Sequence, residues 1–239
     1  MYVTIPSVTA PDLPLITLPD RGPHHAAFTL KAGRFLFRAG DTARLIYYVH
    51  SGVLRLTRVF EDGRRQVIAF GYPGDVVGFP VDGLHHTDCD AVTEARLQPY
   101  RRSALETGTG DPELHRHLLT AALHEIGAMQ DHFMMLGRKS ATERVASFLC
   151  VLKERVGQSI GSYDQVALPM SRADIADFLG LTTETVSRTF TLLRKSKVIA
   201  LHQVHTVIIR QPERLTALAQ GEDRLTPPKR ARAPISAVA

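Results

Sequence analysis

The chain has 239 residues, 44% of them apolar, enough for two domains with cores of their own. Its formal net charge of +5 favours an anionic partner, nucleic acid before a membrane surface. No apolar run approaches the roughly 20 residues of a spanning helix, and the proline-broken N-terminus lacks the layout of a secretory signal. Two cysteines, Cys89 and Cys150, are too few for a disulfide framework or a protein-ligated iron–sulfur cluster. The expectation is a globular cytoplasmic protein.

Residues 1–27 read as an N-terminal extension. From 28 to 110, short β-rich runs such as "LIYYV", "VLRLTRVF" and "RQVIAFGY" alternate with turn signals at Gly33, Gly40, "SG", "DG", "PGD" and Gly83. That punctuation predicts an antiparallel barrel or jelly roll, with "EDGR" as a hairpin turn. The overall class is therefore α+β.

At Asp111-Pro112 the pattern changes to a helix start, and residues 111–137 form one long helix. Leu119, Ala122, Ile126, Met129, Phe133 and Leu136 follow one another at alternating steps of three and four, the spacing of a coiled-coil seam. A helix packed on its own barrel would also carry an apolar stripe. Regularity through the whole stretch favours a homodimer seam.

Residues 138–220 are helical and then turn to β. "SATERVASFL" opens with a capping box, Ser140 with Glu143, and "SRADIADFL" opens with a second, Ser171 with Asp174. Gly180 stops that helix, and another runs from Thr182 to Arg194. Two short helices about a glycine turn make a helix-turn-helix, and "VIALHQVHTVIIR" reads as a β-hairpin wing. Residues 221–239, with "PPKRAR", read as a disordered basic tail.

On the second of these helices Val186, Phe190 and Leu193 face inward, leaving Glu184, Ser187, Arg188 and Thr191 outside. Arginine can bind guanine bidentately, glutamate can accept from the cytosine amino group, and a hydroxyl can do either. Glu184 and Arg188 alone would be an ordinary surface pair four residues apart. Behind a helix-turn-helix and before a wing, they read as base-contacting groups. Ser171, Arg172, Thr182, Thr183, Thr185, Thr189 and Arg194 are then candidates for phosphate contacts.

"DIADFLGLTTETVSRTFTLLRK" resembles the helix-turn-helix of the Crp/Fnr superfamily, with E-T-V-S-R in the version of its Fnr and FixK branches. "MMLGRKSATERVASFL" and "LPMSRADIADFLGL" resemble FixK-type regulators more closely still, and "FRAGDTARLIYYVHSGVLRL" with "YPGDVVGF" resembles the cyclic-nucleotide-binding-like barrel. The resemblance implies a regulator, mainly an activator, that binds double-stranded DNA as a homodimer and works with RNA polymerase. It also implies that Glu184, Ser187 and Arg188 read TTGAT-type half-sites in a TTGAT-N4-ATCAA-like inverted repeat. Members of this branch control genes of microaerobic respiration, denitrification or nitrogen fixation.

Departures from the family narrow the reading. After Gly78-Phe79 stands Pro80 in place of the ribose-binding glutamate, and His85-His86 replace the arginine-serine pair that holds a cyclic phosphate. Cyclic-nucleotide binding is not expected without that arginine. Residues 1–30 contain no cysteine and the barrel cysteine position aligns near Gln98, so Fnr-type oxygen sensing is not expected either. No cofactor or metal is assigned. The alternative is an effector-gated regulator whose barrel binds haem or another small ligand. The barrel segment has no His-x-His and no nucleophile–base set, so an enzyme is not expected. Cys150, in a helix near Lys153, is a possible redox site.

Overall fold

Alternating apolar residues between glycine turns fold the first part of the chain into two packed sheets. The computed structural model describes residues 26–107, 111–202, 205–223 and 225. Its first eight strands are β1 (Phe28–Leu30), β2 (Phe35–Phe37), β3 (Leu45–Ser51), β4 (Leu54–Val59), β5 (Arg65–Gly71), β6 (Val76–Val77), β7 (Asp88–Ala91) and β8 (Ala95–Arg101). They form two four-stranded antiparallel sheets in the orders β1-β8-β3-β6 and β2-β7-β4-β5. Phe37, Val49, Leu54, Leu56, Ala69, Val77, Cys89 and Leu97 fill the space between them. The expected hairpin at Asp62-Gly63 joins β4 to β5, with the Arg64 amide donating to Asp62 at 3.0 Å.

A short helix not read from the sequence, α1 (Arg102–Glu106), leads to the long α2 (Pro112–Arg138). Asp111 caps α2 by accepting from the Glu113 and Leu114 amides at 3.0 and 2.9 Å, with proline in the first turn as expected. One face of α2 packs inward through Leu114, Leu118 and Ala121, which meet Ile46, Val76 and Tyr100 of the barrel. No helix of the described residues is long and apolar enough to cross a membrane.

The C-terminal part comprises α3 (Ala141–Val156), β9 (Gln158–Ile160), β10 (Tyr163–Ala167), α4 (Arg172–Leu179), α5 (Thr183–Lys195), β11 (Ile199–Leu201), β12 (Thr206–Ile209) and α6 (Pro212–Gln220). Both expected capping boxes are formed, at Ser140/Glu143 and Ser171/Asp174. The wing is larger than the expected hairpin: β11 and β12 pair as foreseen, but β10 and β9 extend them into one sheet, order β11-β12-β10-β9. Helix α6 was also not anticipated; it returns Leu215, Leu218 and Ala219 to the core. The tail motif "PPKRAR" and residues 1–25 of the N-terminal extension lie outside the described residues.

One apolar core joins the two halves. Val53, Val67, Phe70 and Tyr72 of the barrel are continuous with Phe148, Leu149, Phe178, Phe190 and Leu193 of the C-terminal part. Phe178 is its centre, with ring centroids 5.4 Å from Phe70, 5.8 Å from Phe148 and 4.4 Å from the imidazole of His132 on α2.

Candidate nucleic-acid interface

Helices α4 and α5 owe their geometry to the turn between them. Gly180 takes the left-handed conformation, φ +61, that ends α4, and a side chain there would also press on Leu136 at 3.3 Å. Thr182 then caps α5, accepting from the Thr185 amide at 3.1 Å. Arg144, which sequence reasoning did not single out, binds both helix ends. Its guanidinium donates to the Leu136 carbonyl at 2.7 Å, to Lys139 at 2.8 Å, to Leu179 at 2.9 Å and to Gly180 at 3.3 Å. Carbonyls left free at the ends of α2 and α4 thus share one cation, which ties the turn to the long helix. The signal available in the sequence was an arginine just behind a capping box, too common to mean anything alone.

Val186, Phe190 and Leu193 bury the inner side of α5, as its 3.6-residue period requires. Glu184, Ser187 and Arg188 stand together on its exposed side. Glu184 Oε1 and Arg188 Nη2 are 2.6 Å apart, with side chains 71% and 79% exposed. Such a pair adds little stability in water. Ser187 is exposed beside it, and the Thr191 hydroxyl turns away to donate to the Ser187 carbonyl at 2.9 Å.

The phosphate-contact candidates divide. Thr182, Thr183 and Arg194 are exposed, and Thr185 is half-buried with its hydroxyl 2.8 Å from that of Thr182. Thr182 and Thr183 lie at the start of α5, where helix amides and dipole attract anions. Ser171 is exposed, but its hydroxyl donates to Asp174 Oδ2 at 2.7 Å within the cap. Arg172 lies over the Phe190 ring, 3.6 Å from its centroid, and burial lowers its pKa, so its plane serves as a lid on the core. Thr189 is a correction: it is 6% exposed and its hydroxyl donates to the Thr185 carbonyl at 2.9 Å, which leaves it unable to reach a phosphate.

Cys150 is a second correction. Its side chain is buried beside Thr216, and burial pushes the thiol up to about 11. A neutral, covered thiol is a poor redox group.

On α2 the seam candidates also separate. Leu119, Ile126, Met129 and Phe133 are exposed, joined by Leu123 and Met134, with Phe133 75% open. Ala122 is half-buried beside them. Leu136 turns the other way and packs against the C-terminal core.

In the barrel, the adjacent histidines His85 and His86 are both engaged with neighbouring side chains. His85 is buried and stacks on Phe37 with centroids 3.7 Å apart, and burial lowers its pKa, so it stays neutral. His86 Nε2 lies 2.5 Å from Arg58 on β4. Among the described residues no group of three or more His, Cys, Asp or Glu is arranged to hold a metal ion.

A model of the Crp-like helix-turn-helix domain matches residues 143–218, and one of the cyclic nucleotide-binding domain matches residues 27–106. The chain is 41% identical over 200 residues to the nitrogen fixation regulation protein FixK of Rhizobium meliloti, covering 84% of this chain and 90% of that protein. It is 35% identical over 201 residues to the transcriptional activator FnrL of Cereibacter sphaeroides, covering 81% and 79%. The solved structure of FixK2 from Bradyrhizobium japonicum superposes with a TM-score of 0.73 at 34% identity, covering 81% of this chain and 96% of that one. With barrel, long helix and winged reader in the order those proteins share, the chain belongs to the Crp/Fnr family of DNA-binding transcription regulators, in its FixK-like branch.

Proposed function

We propose that the protein binds DNA as a homodimer at an inverted repeat resembling TTGAT-N4-ATCAA and activates transcription there through RNA polymerase. The observation that carries the reading is the exposed trio Glu184, Ser187 and Arg188 on a helix whose opposite side is locked into the core. A donor fork, an acceptor and a hydroxyl on one rigid face match base edges in a major groove. Glu184 and Arg188 pair in the free chain at little cost to either, so both are available to a partner.

The dimer reading rests on the uncovered apolar stripe Leu119, Ile126, Met129 and Phe133, flanked by Leu123 and Met134. A contiguous apolar face of that kind belongs in an interface. Ala122 lines the stripe, whereas Leu136 serves the protein's own core. A two-fold axis along α2 would send the two copies of α5 toward successive grooves, about 34 Å apart. Thr182, Thr183 and Arg194 then face the flanking phosphates, with Thr185 behind them. The names of the FixK relatives point to nitrogen fixation genes among the targets.

Selection of binding sites from random DNA tests the reading. An enriched inverted repeat with TTGAT-like arms supports it, and enrichment of unpaired or unrelated sequences overturns it.

A further inference from the structure

Two arginines of the barrel reach across to the first helix of the helix-turn-helix. Arg55 on β4 binds Asp90 through Nε and Nη2 at 3.1 and 2.8 Å, and its Nη1 meets Asp174 Oδ1 on α4 at 2.6 Å. Arg65 on β5 meets the same Asp174 oxygen through Nη2 at 2.7 Å. It also binds Asp177 Oδ2 through Nη2 and Nε at 2.7 and 3.0 Å. Gln66 donates to the Asp177 carbonyl beside them. The Asp174 side chain is only 7% exposed, and its second oxygen holds the Ser171 cap, so one carboxylate fixes both the start of α4 and its seat on the barrel.

Base recognition uses none of these groups, yet they lie at the joint that decides where α5 points. The apolar part of that joint sets the Phe70 ring against Phe178. Guanidinium forks on carboxylates are directional and resist rotation. Partial burial also shields them from salt. Because α2 packs on the same barrel, a rotation of α4 relative to β4 and β5 would turn α5 relative to the α2 stripe.

We propose that Arg55, Arg65, Asp174 and Asp177 form an ionic clamp that sets the angle of the reading helix to the dimer axis, and so sets the half-site spacing that the protein accepts. The clamp rests on the dimeric reading above. Its members are positioning residues: they touch no base, and they act through α5.

The test uses the full chain with Arg65→Ala, Arg65→Lys and Asp177→Asn. Affinity is measured on repeats with the N4 spacer, on repeats one base pair shorter or longer, and on a duplex carrying a single half-site. Wild type should favour N4. Arg65→Ala and Asp177→Asn should lose roughly two- to thirtyfold of that preference, the range by which residues of a physical network shift coupling between sites. Arg65→Lys, which keeps charge without the fork, should fall between. Affinity for the single half-site should hold in all of them, since the reading face is untouched. Asp177→Asn is nearly isosteric, so the test stands even where Arg65→Ala fails to fold.

Full spacing preference in both charge-removing variants would overturn the clamp. Tighter binding at N4 with preference intact would overturn it too, by making these pairs a brake. Wild type that reads TTGAT arms but ignores spacing would overturn the clamp and leave base reading standing. Wild type that ignores sequence would overturn both.

Discussion

Two helices of this protein each leave one face uncovered, and the faces differ in kind. The outer side of α2 shows leucine, isoleucine, methionine and phenylalanine, and that of α5 shows threonine, glutamate, serine and arginine. Burial of apolar area, worth about 25 cal/mol per Å², favours covering the first face. The second face offers little such area, and its polar groups gain only where a partner supplies matching donors and acceptors. On the function proposed above, one helix meets a copy of the chain and the other a groove of DNA. The inner side of α2 meets Phe178 of α4, where Phe148 of α3 and Phe70 of the barrel converge, in the same core that buries Val186, Phe190 and Leu193 of α5.

Removing that meeting point is the harshest way to break the comparison. Phe178→Ala opens a cavity where the ring is fully buried, with an expected loss of about 3–5 kcal/mol in urea unfolding. A loss under about 1 kcal/mol would mean that the two helices do not depend on a common core.

Ile126→Glu sets a carboxylate in the middle of the α2 stripe. Dimerisation should weaken by roughly 2 kcal/mol or more, as for a central interface anchor. An unchanged sedimentation profile would contradict the stripe's assignment while leaving α5 untouched.

A milder perturbation acts on the inner side of α2. His132 is buried against Phe178 near the Arg144 cation, and burial lowers its pKa from 6.5 to about 4. The unfolded chain takes up the proton at 6.5, the folded one only near 4. The histidine's contribution to stability is therefore complete above pH 6.5 and is lost as pH falls toward about 4. Urea midpoints measured across that interval should drop more steeply for wild type than for His132→Gln, and parallel curves would remove the histidine from the acid response.

The smallest expected effect is the sharpest discriminator along α5. Thr189→Val keeps the branched shape and deletes a hydroxyl that serves only the helix backbone. DNA affinity should move by less than about 0.5 kcal/mol. A larger loss, equal on all sequences, would restore Thr189 as a phosphate contact.

These contrasts also show what could be read before folding. The capping boxes at Ser140 and Ser171, the stop at Gly180 and the inward set Val186, Phe190 and Leu193 are local rules written within a few residues, and the structure follows them. Thr189 went astray because threonine counts as polar in a pattern, whereas in a helix its hydroxyl can turn back to the carbonyl four residues earlier. Leu136 continued the spacing of the stripe by one step, but the turn after α4 packs against it, a contact over more than forty residues of chain. Cys150 shows the same limit, since a basic neighbour in sequence says nothing of the burial that keeps its thiol neutral. Strands β9 and β10 and helix α6 are short and weakly patterned; β9 pairs only with its neighbour β10, whereas β10 finds β12, and α6 finds α3, across tens of residues of chain. Arg55 and Arg65 were legible only as charges inside strands; their partners on α4 come from the tertiary fold.

Sequence reading by the polar face of α5 is tested by Arg188→Ala. Its affinity is compared with wild type on the TTGAT-N4-ATCAA repeat, on single-base variants of it and on scrambled DNA. A loss of roughly 1–3 kcal/mol on the repeat is expected, with relaxed preference at one base pair of each arm and little change on scrambled DNA. An equal loss on specific and scrambled DNA would contradict it, making Arg188 a phosphate contact and leaving the readout to other residues.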